Sequence, residues 1–141
     1  MQQVFVYGSL LFPEITKKLT GKSFKTLPAI VEGYKMYCVK GCDYPAIVRE
    51  NGTFTNGKVL LDVEESDILK MSFFEGDEYE KKKISVLVNG KPEDAFVFVW
   101  VKGNDLLDDE EWDFQEFEKN SLEYYINEVI PETLDEFHRN R

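Results

Sequence analysis

The sequence predicts an α+β domain built around a strongly curved, mixed or mostly antiparallel sheet. Three observations carry that prediction. Short runs rich in Val, Ile, Phe and Tyr recur between residues 3 and 101 and outnumber the helical segments. Asn89-Gly90 separates two of those runs, and its preference for left-handed backbone suits a tight hairpin turn. Hydrophobic residues make up 43% of the 141 residues and aromatics 14%, enough apolar surface to close one core of ordinary size. Phe-rich segments facing both sides of such a sheet are compatible with a small barrel, and residues 1–141 read as a single domain.

The elements follow in order. Gln3 to Tyr7 is a short strand, interrupted by Gly8-Ser9. Pro13 to Thr20 (PEITKKLT) is a short helix, because Pro is tolerated in a first turn, Glu14 lies near its positive end and Gly21 stops it. Strands are expected at Pro28 to Val39, Tyr44 to Val48 and Lys58 to Val63, the last preceded by a turn at Asn56-Gly57. Glu64 to Phe74 carries the punctuation of a helix, with acids leading and Gly76 following. Tyr79 to Val88 and Glu93 to Val101 form the hairpin around Asn89-Gly90, and Lys81, Lys82 and Lys83 belong on an edge or exposed face. Finally, Trp112, Phe114, Phe117, Leu122, Tyr125, Ile126 and Val129 recur at three- and four-residue spacings. They predict an amphipathic helix that ends before Pro131.

Charge divides the chain. The formal net charge is -10, yet residues 1–103 hold 14 basic and 14 acidic side chains, while residues 104–141 hold 3 and 13. An acidic helical segment at about 105–141 therefore carries the whole imbalance, as a solvated face does; its aromatics Trp112, Phe114 and Phe117 suggest a helix packed against the barrel with its acids outward, a solubilising cover or one wall of a pocket. Acidity argues against nucleic acid and against an anionic membrane surface, since both are bound through Lys and Arg. No window approaches the roughly 18 apolar residues of a membrane span, and the N-terminus lacks the marks of a signal peptide. The expectation is a cytoplasmic protein without nucleic-acid or membrane partners. Cys38, Cys42 and the single His138 fall short of a zinc ligand set, so no metal site is expected and the thiols read as reduced and incidental. With no GxGxxG, GxxxxGKS or GxSxG, carboxylates, hydroxyls or backbone amides must carry any chemistry.

Two places could carry it. Tyr7-Gly8-Ser9-Leu10 breaks the chain directly after a strand, where a Gly lets a ligand approach the backbone and free N–H groups could hold a carboxylate or polarise a carbonyl. An ordinary strand end is the plainer alternative. Glu75 follows two aromatics where a helix gives way to a strand, and an apolar pocket there would raise its proton affinity, as a carboxylate base needs. A surface capping acid is the alternative. Tyr37, Tyr44 and Trp100 could line a pocket or simply fill the core.

VFVYGSLL (Val4 to Leu11) and FFEGDEY (Phe73 to Tyr79) stand in the order and at about the separation found in the gamma-glutamylcyclotransferase-like family, AIG2-like branch, which this sequence resembles over about residues 4–130. YPAI at Tyr44 to Ile47 and VFVW at Val97 to Trp100 are similar to that branch as well. The resemblance implies a small mixed β-barrel with flanking helices and a pocket floored by the YGSL loop. It further implies a small-molecule gamma-glutamyl substrate and no cofactor. Carried over by position, Tyr7, Gly8, Ser9 and Leu10 match the substrate-binding loop, Glu75 the catalytic acid/base, and Tyr79 a pocket-lining aromatic. Well-characterised members read YGSN, whereas this chain has Leu10; YGSL also occurs in the glutathione-specific branch, which lacks the FEGDEY form. The implied reaction is cyclisation of a gamma-glutamyl amide to 5-oxoproline. A non-catalytic binding or regulatory module on the same fold is the rival.

Overall fold

The computed structural model describes residues 2–140. Its strands are β1 (Gln2–Val6), β2 (Thr26–Val39), β3 (Pro45–Val63), β4 (Tyr79–Val88), β5 (Lys91–Trp100) and the two-residue β6 (Leu107–Asp108). β1 lies between β3, antiparallel, and β5, parallel; β4 pairs with β5 and β2, and β2 returns to β3. The pairings thus close a five-stranded ring, with β6 added beside β2. Alternation along β1 divides the core in two. Phe5 and Tyr7 join Val31, Ile47, Val59 and Val97 inside the ring. Val4 and Val6 face outward, onto a second cluster shared with the helices.

Helix α1 (Pro13–Thr20) ends on Gly21 at φ 79, and α2 (Glu65–Glu75) begins with a reciprocal capping box between Glu64 and Asp67. Glu75 is therefore the last helical residue. Asn89-Gly90 makes its hairpin turn at φ 53 and 77. β4 pairs with β5 over its whole length, but β2 reaches only Val88 and Leu87, so residues 79–86 form an edge. Lys81 and Lys83 lie on that edge with their ammonium groups 4.9 and 5.7 Å from the centre of the Phe96 ring.

Two sequence expectations are corrected. Asn56-Gly57 is no turn: both residues sit inside a continuous β3, opposite Ile30 and Ala29 of β2. Gly57 is needed because a Cβ there would run into the Val6 carbonyl oxygen and the Phe5 ring. The excess residues are taken up instead by a bulge over 50–53, where the register jumps from Glu32–Phe54 to Tyr34–Arg49.

The C-terminal segment is not one helix ending at Pro131. Trp112 precedes α3 (Phe114–Asn120), which Asp113 caps by accepting from the Glu116 amide at 3.0 Å. After Ser121 the chain resumes as α4 (Leu122–Tyr124), widens into a π turn over Tyr125–Val129 and runs on as α5 (Ile130–Arg139). The Ile130 amide reaches back five residues to Tyr125, so Pro131 enters in the first turn of α5, where its missing N–H is tolerated. The segment is part of the core: Trp112, Phe117, Leu122, Tyr125 and Ile130 are buried in the outer cluster, and Phe12 stacks on Phe114 at 4.3 Å. Among the described residues, no helix is long and apolar enough to cross a membrane.

Ile130 has 0% exposure. Ile130→Ala should therefore cost about 2–5 kcal/mol in denaturant unfolding, as a buried cavity does and a surface appendage does not.

Candidate active site

Where β1 stops, the backbone turns sharply. Tyr7 still points into the ring, and its hydroxyl donates to the Phe98 carbonyl at 2.6 Å. Gly8 passes so close to β3 that a Cβ would lie 2.8 Å from Pro45 Cγ. A 3-10 turn over Ser9–Leu11 follows, in which the Leu11 amide bonds the Gly8 carbonyl at 2.9 Å and the Phe12 amide the Ser9 carbonyl at 3.1 Å. The amides of Gly8, Ser9 and Leu10 lead that turn and have no acceptor within it. Leu10 packs its side chain into the outer cluster, so any hydrogen bond from this position comes from the backbone.

Glu75 faces the loop across a cavity of about 220 Å³. It is half-buried, and Phe74 beside it meets the Tyr125 ring edge-on at 6.4 Å. Protein atoms crowd its carboxyl enough that burial pushes the pKa up to about 8. No hydrogen-bond donor is found on that carboxyl among the described residues. Tyr7 is raised well above the ordinary phenol range, first by burial and then by the Glu75 charge. Burial likewise raises Tyr79, with Tyr7 and Glu75 adding to it; its hydroxyl donates to the Pro45 carbonyl at 2.6 Å and its ring meets Trp100 edge-on. Both phenols therefore stay neutral.

The fold thus brings together Tyr7, Gly8, Ser9, Leu10, Glu75 and Tyr79 around one cavity. Tyr44 lines it too, its hydroxyl donating to Glu78 Oε1 at 3.2 Å. Tyr37 instead donates to Glu50, and the Trp100 indole to the Gly103 carbonyl; both lie outside the lining. Cys38 and Cys42 are free thiols outside the cavity lining, Cys42 lying beside the Tyr44 side chain. Missed by the sequence reading are Tyr125, Val129 and Thr133, which reach the cavity from the C-terminal segment. Their four-residue spacing was visible, but one helical face looks the same whether it covers core or cavity. No Lys, Arg or His is among the cavity's described lining residues.

A closed ring of strands, an amide-bearing loop at the end of its central strand and a carboxyl facing it define a class. The chain belongs to the gamma-glutamyl cyclotransferase, AIG2-like family, whose model matches residues 4–114. Protein AIG2 C of Arabidopsis thaliana is 34% identical over 125 residues, covering 87% of this chain and 76% of that protein. AIG2-like protein D of the same plant is 29% identical over 129 residues, 89% and 85% of the two chains. A solution structure of an Arabidopsis thaliana protein, 31% identical, superposes with a TM-score of 0.70 over 99% of this chain and 84% of its own. A structure described as gamma-glutamyl cyclotransferase shares the fold at 16% identity, with a TM-score of 0.58 over 71% of this chain and 66% of that one.

Glu75 ties the site to stability. A carboxyl that titrates at 4.5 when exposed and about 8 here binds its proton more tightly folded than unfolded. Its contribution is full below pH 4.5 and is lost as pH rises through about 8. Denaturant melts should therefore show Glu75→Gln gaining stability relative to the parent between pH 5 and pH 8. A gap independent of pH would contradict the buried carboxyl. Gly8→Ala, which pushes the loop off Pro45, should weaken binding of any ligand held by the loop amides, read by calorimetry.

Proposed function

We propose that the protein is a cyclotransferase that converts a gamma-glutamyl amide to 5-oxoproline and a free amine, with no cofactor in the reaction. The observation that carries this reading is the opposition of Glu75, with its raised proton affinity, to the amides of Gly8, Ser9 and Leu10, for which no acceptor is found among the described residues, across one small cavity. Membership of the gamma-glutamyl cyclotransferase, AIG2-like family supports it.

The substrate carries its own nucleophile. Its α-amine attacks the γ-carbonyl carbon, a five-membered ring closes, and the C–N bond to the departing amine breaks. Holding the molecule folded replaces an encounter by an intramolecular step. The α-ammonium must first lose a proton, and the departing nitrogen must gain one. Glu75 takes the first and returns it to the second, leaving the enzyme in its starting state. The amides of Gly8, Ser9 and Leu10 hold the α-carboxylate or the oxyanion that develops on the γ-carbonyl, a task for which backbone N–H groups suffice. Tyr7 and Tyr79 spend their protons on backbone carbonyls, so they shape the walls and exclude water.

Glu75→Gln should lower kcat for 5-oxoproline release by about 10²–10⁴-fold while leaving the fold and ligand binding in place. Retained activity would remove Glu75 from the chemistry, and binding of gamma-glutamyl compounds without turnover by the parent protein would favour a binding module. Only about a tenth of a group with pKa 8 is ionised at pH 7. The activity of the parent protein should accordingly rise with pH and level off above about 8; a profile flat from pH 5 to 8 would contradict a base with a raised pKa at Glu75 without excluding catalysis.

A further inference from the structure

Three cavity residues lie beyond residues 4–114, the part of the chain the family model matches. Tyr125 and Val129 are the first and last residues of the π turn, and Thr133 follows four residues later. All three thus stand on one side of the segment, stacked along its length. A π turn rotates the residues on either side of it relative to a regular helix, and such turns concentrate at functional sites. Thr133 already donates its hydroxyl to the Val129 carbonyl at 2.8 Å, so it can offer a ligand its methyl group and an acceptor oxygen but no proton. The wall is therefore an aromatic ring, a valine side chain and a threonine that does not donate.

This wall is tied down at one place. The Trp112 indole donates to the Asp43 carbonyl at 2.8 Å, and the Tyr125 hydroxyl donates to Asp43 Oδ1 at 2.9 Å. Asp43 sits in the connection from β2 to β3, immediately before Tyr44, which lines the cavity from the opposite element. The two sides of the cavity are thus clamped to each other through one exposed aspartate, across 82 residues of sequence.

We propose that Tyr125, Val129 and Thr133 form the wall against which the departing amine is selected, with the Tyr125–Asp43 hydrogen bond as its positioning latch. The inference rests on the cyclotransferase reading. In that reading the α-carboxylate and γ-carbonyl occupy the loop amides, and proton transfer occupies Glu75. The rest of the cavity, open to the amine's substituent, has the C-terminal segment as one wall and Tyr44, Phe74 and Glu78 among its other lining residues. Chemistry then resides in the family-matched part of the chain and selection in the part beyond it.

The test is a series of gamma-glutamyl derivatives of methylamine, butylamine and benzylamine, read as kcat and KM for 5-oxoproline release. Thr133→Phe, at a half-buried position on the wall, should lower the benzylamine-to-methylamine ratio of kcat/KM about tenfold, and Thr133→Ala should move it the other way. Tyr125→Phe and Asp43→Ala each cut the latch. Both should narrow the spread of KM across the series without changing the order of kcat. Asp43→Asn keeps an acceptor oxygen and should restore the parent pattern. Ratios within about twofold of the parent in both Thr133 variants would overturn the wall. A uniform fall of kcat in Tyr125→Phe and Asp43→Ala, equal for every amine, would overturn the latch. Absence of 5-oxoproline from every compound with the parent protein would instead remove the cyclotransferase reading, and this inference with it.

Discussion

Strand β1 is hydrogen-bonded on both edges, to β3 on one side and β5 on the other, and its side chains alternate between the ring's interior and the helices. This arrangement satisfies its backbone and buries Val4, Phe5, Val6 and, directly after it, Tyr7. The loop that follows inherits that fixity. Tyr7 is pinned at Phe98, Gly8 is pressed onto Pro45, and the 3-10 turn starts from there. A site made from main-chain amides has no rotamers to adjust, so its accuracy comes from the strand that delivers it.

Against that rigid floor stands a group held at a cost. Burial raises the proton affinity of Glu75, and every buried carboxyl left without a donor weakens the fold wherever it would otherwise ionise. α2 supports the position by other means. Its N-terminus is closed by the Glu64–Asp67 box, with Lys22 bridging both acids at 2.8 and 2.9 Å. Its C-terminus is clasped between aromatics, Phe74 against Tyr125 and Phe73 against Phe137. Stability thus comes from the contacts at the two ends of α2 rather than from the carboxyl itself.

What the sequence made legible was local. Asn89-Gly90 announced its hairpin because the turn's geometry is written in two residues; Asn56-Gly57, the same dipeptide, did not mark a turn because its glycine answers to Val6 and Phe5, some fifty residues away. The acid and the loop were legible through a resemblance, since neither Glu75 nor YGSL differs in local pattern from a capping acid or a strand end. Which residues of the C-terminal segment wall the cavity was hidden for a physical reason. Tyr125 and Val129 show the periodicity of any amphipathic helix, and only the packing of distant elements tells that part of the face looks onto a cavity. Pro131 misled because a π turn, which has no sequence signature of its own, had already moved the hydrogen bonds past it.

The packing of the C-terminal segment also sets an order of events during synthesis. β1 and Phe12 precede their partners along the chain: the strand needs β5, some ninety residues later, and Phe12 has no stacking partner until Phe114 and Phe117 emerge. Ile130, buried completely, is the last large residue of the outer cluster. Contacts of such long sequence separation form late, because loop entropy must be overcome before they reward the chain. A nascent chain therefore carries the loop, and later Glu75, with an apolar face uncovered until the segment from Trp112 onward is made. The segment from Trp112 onward serves the growing chain as the step that closes this core, and the cavity acquires its final shape only once Tyr125, Val129 and Thr133 have been made.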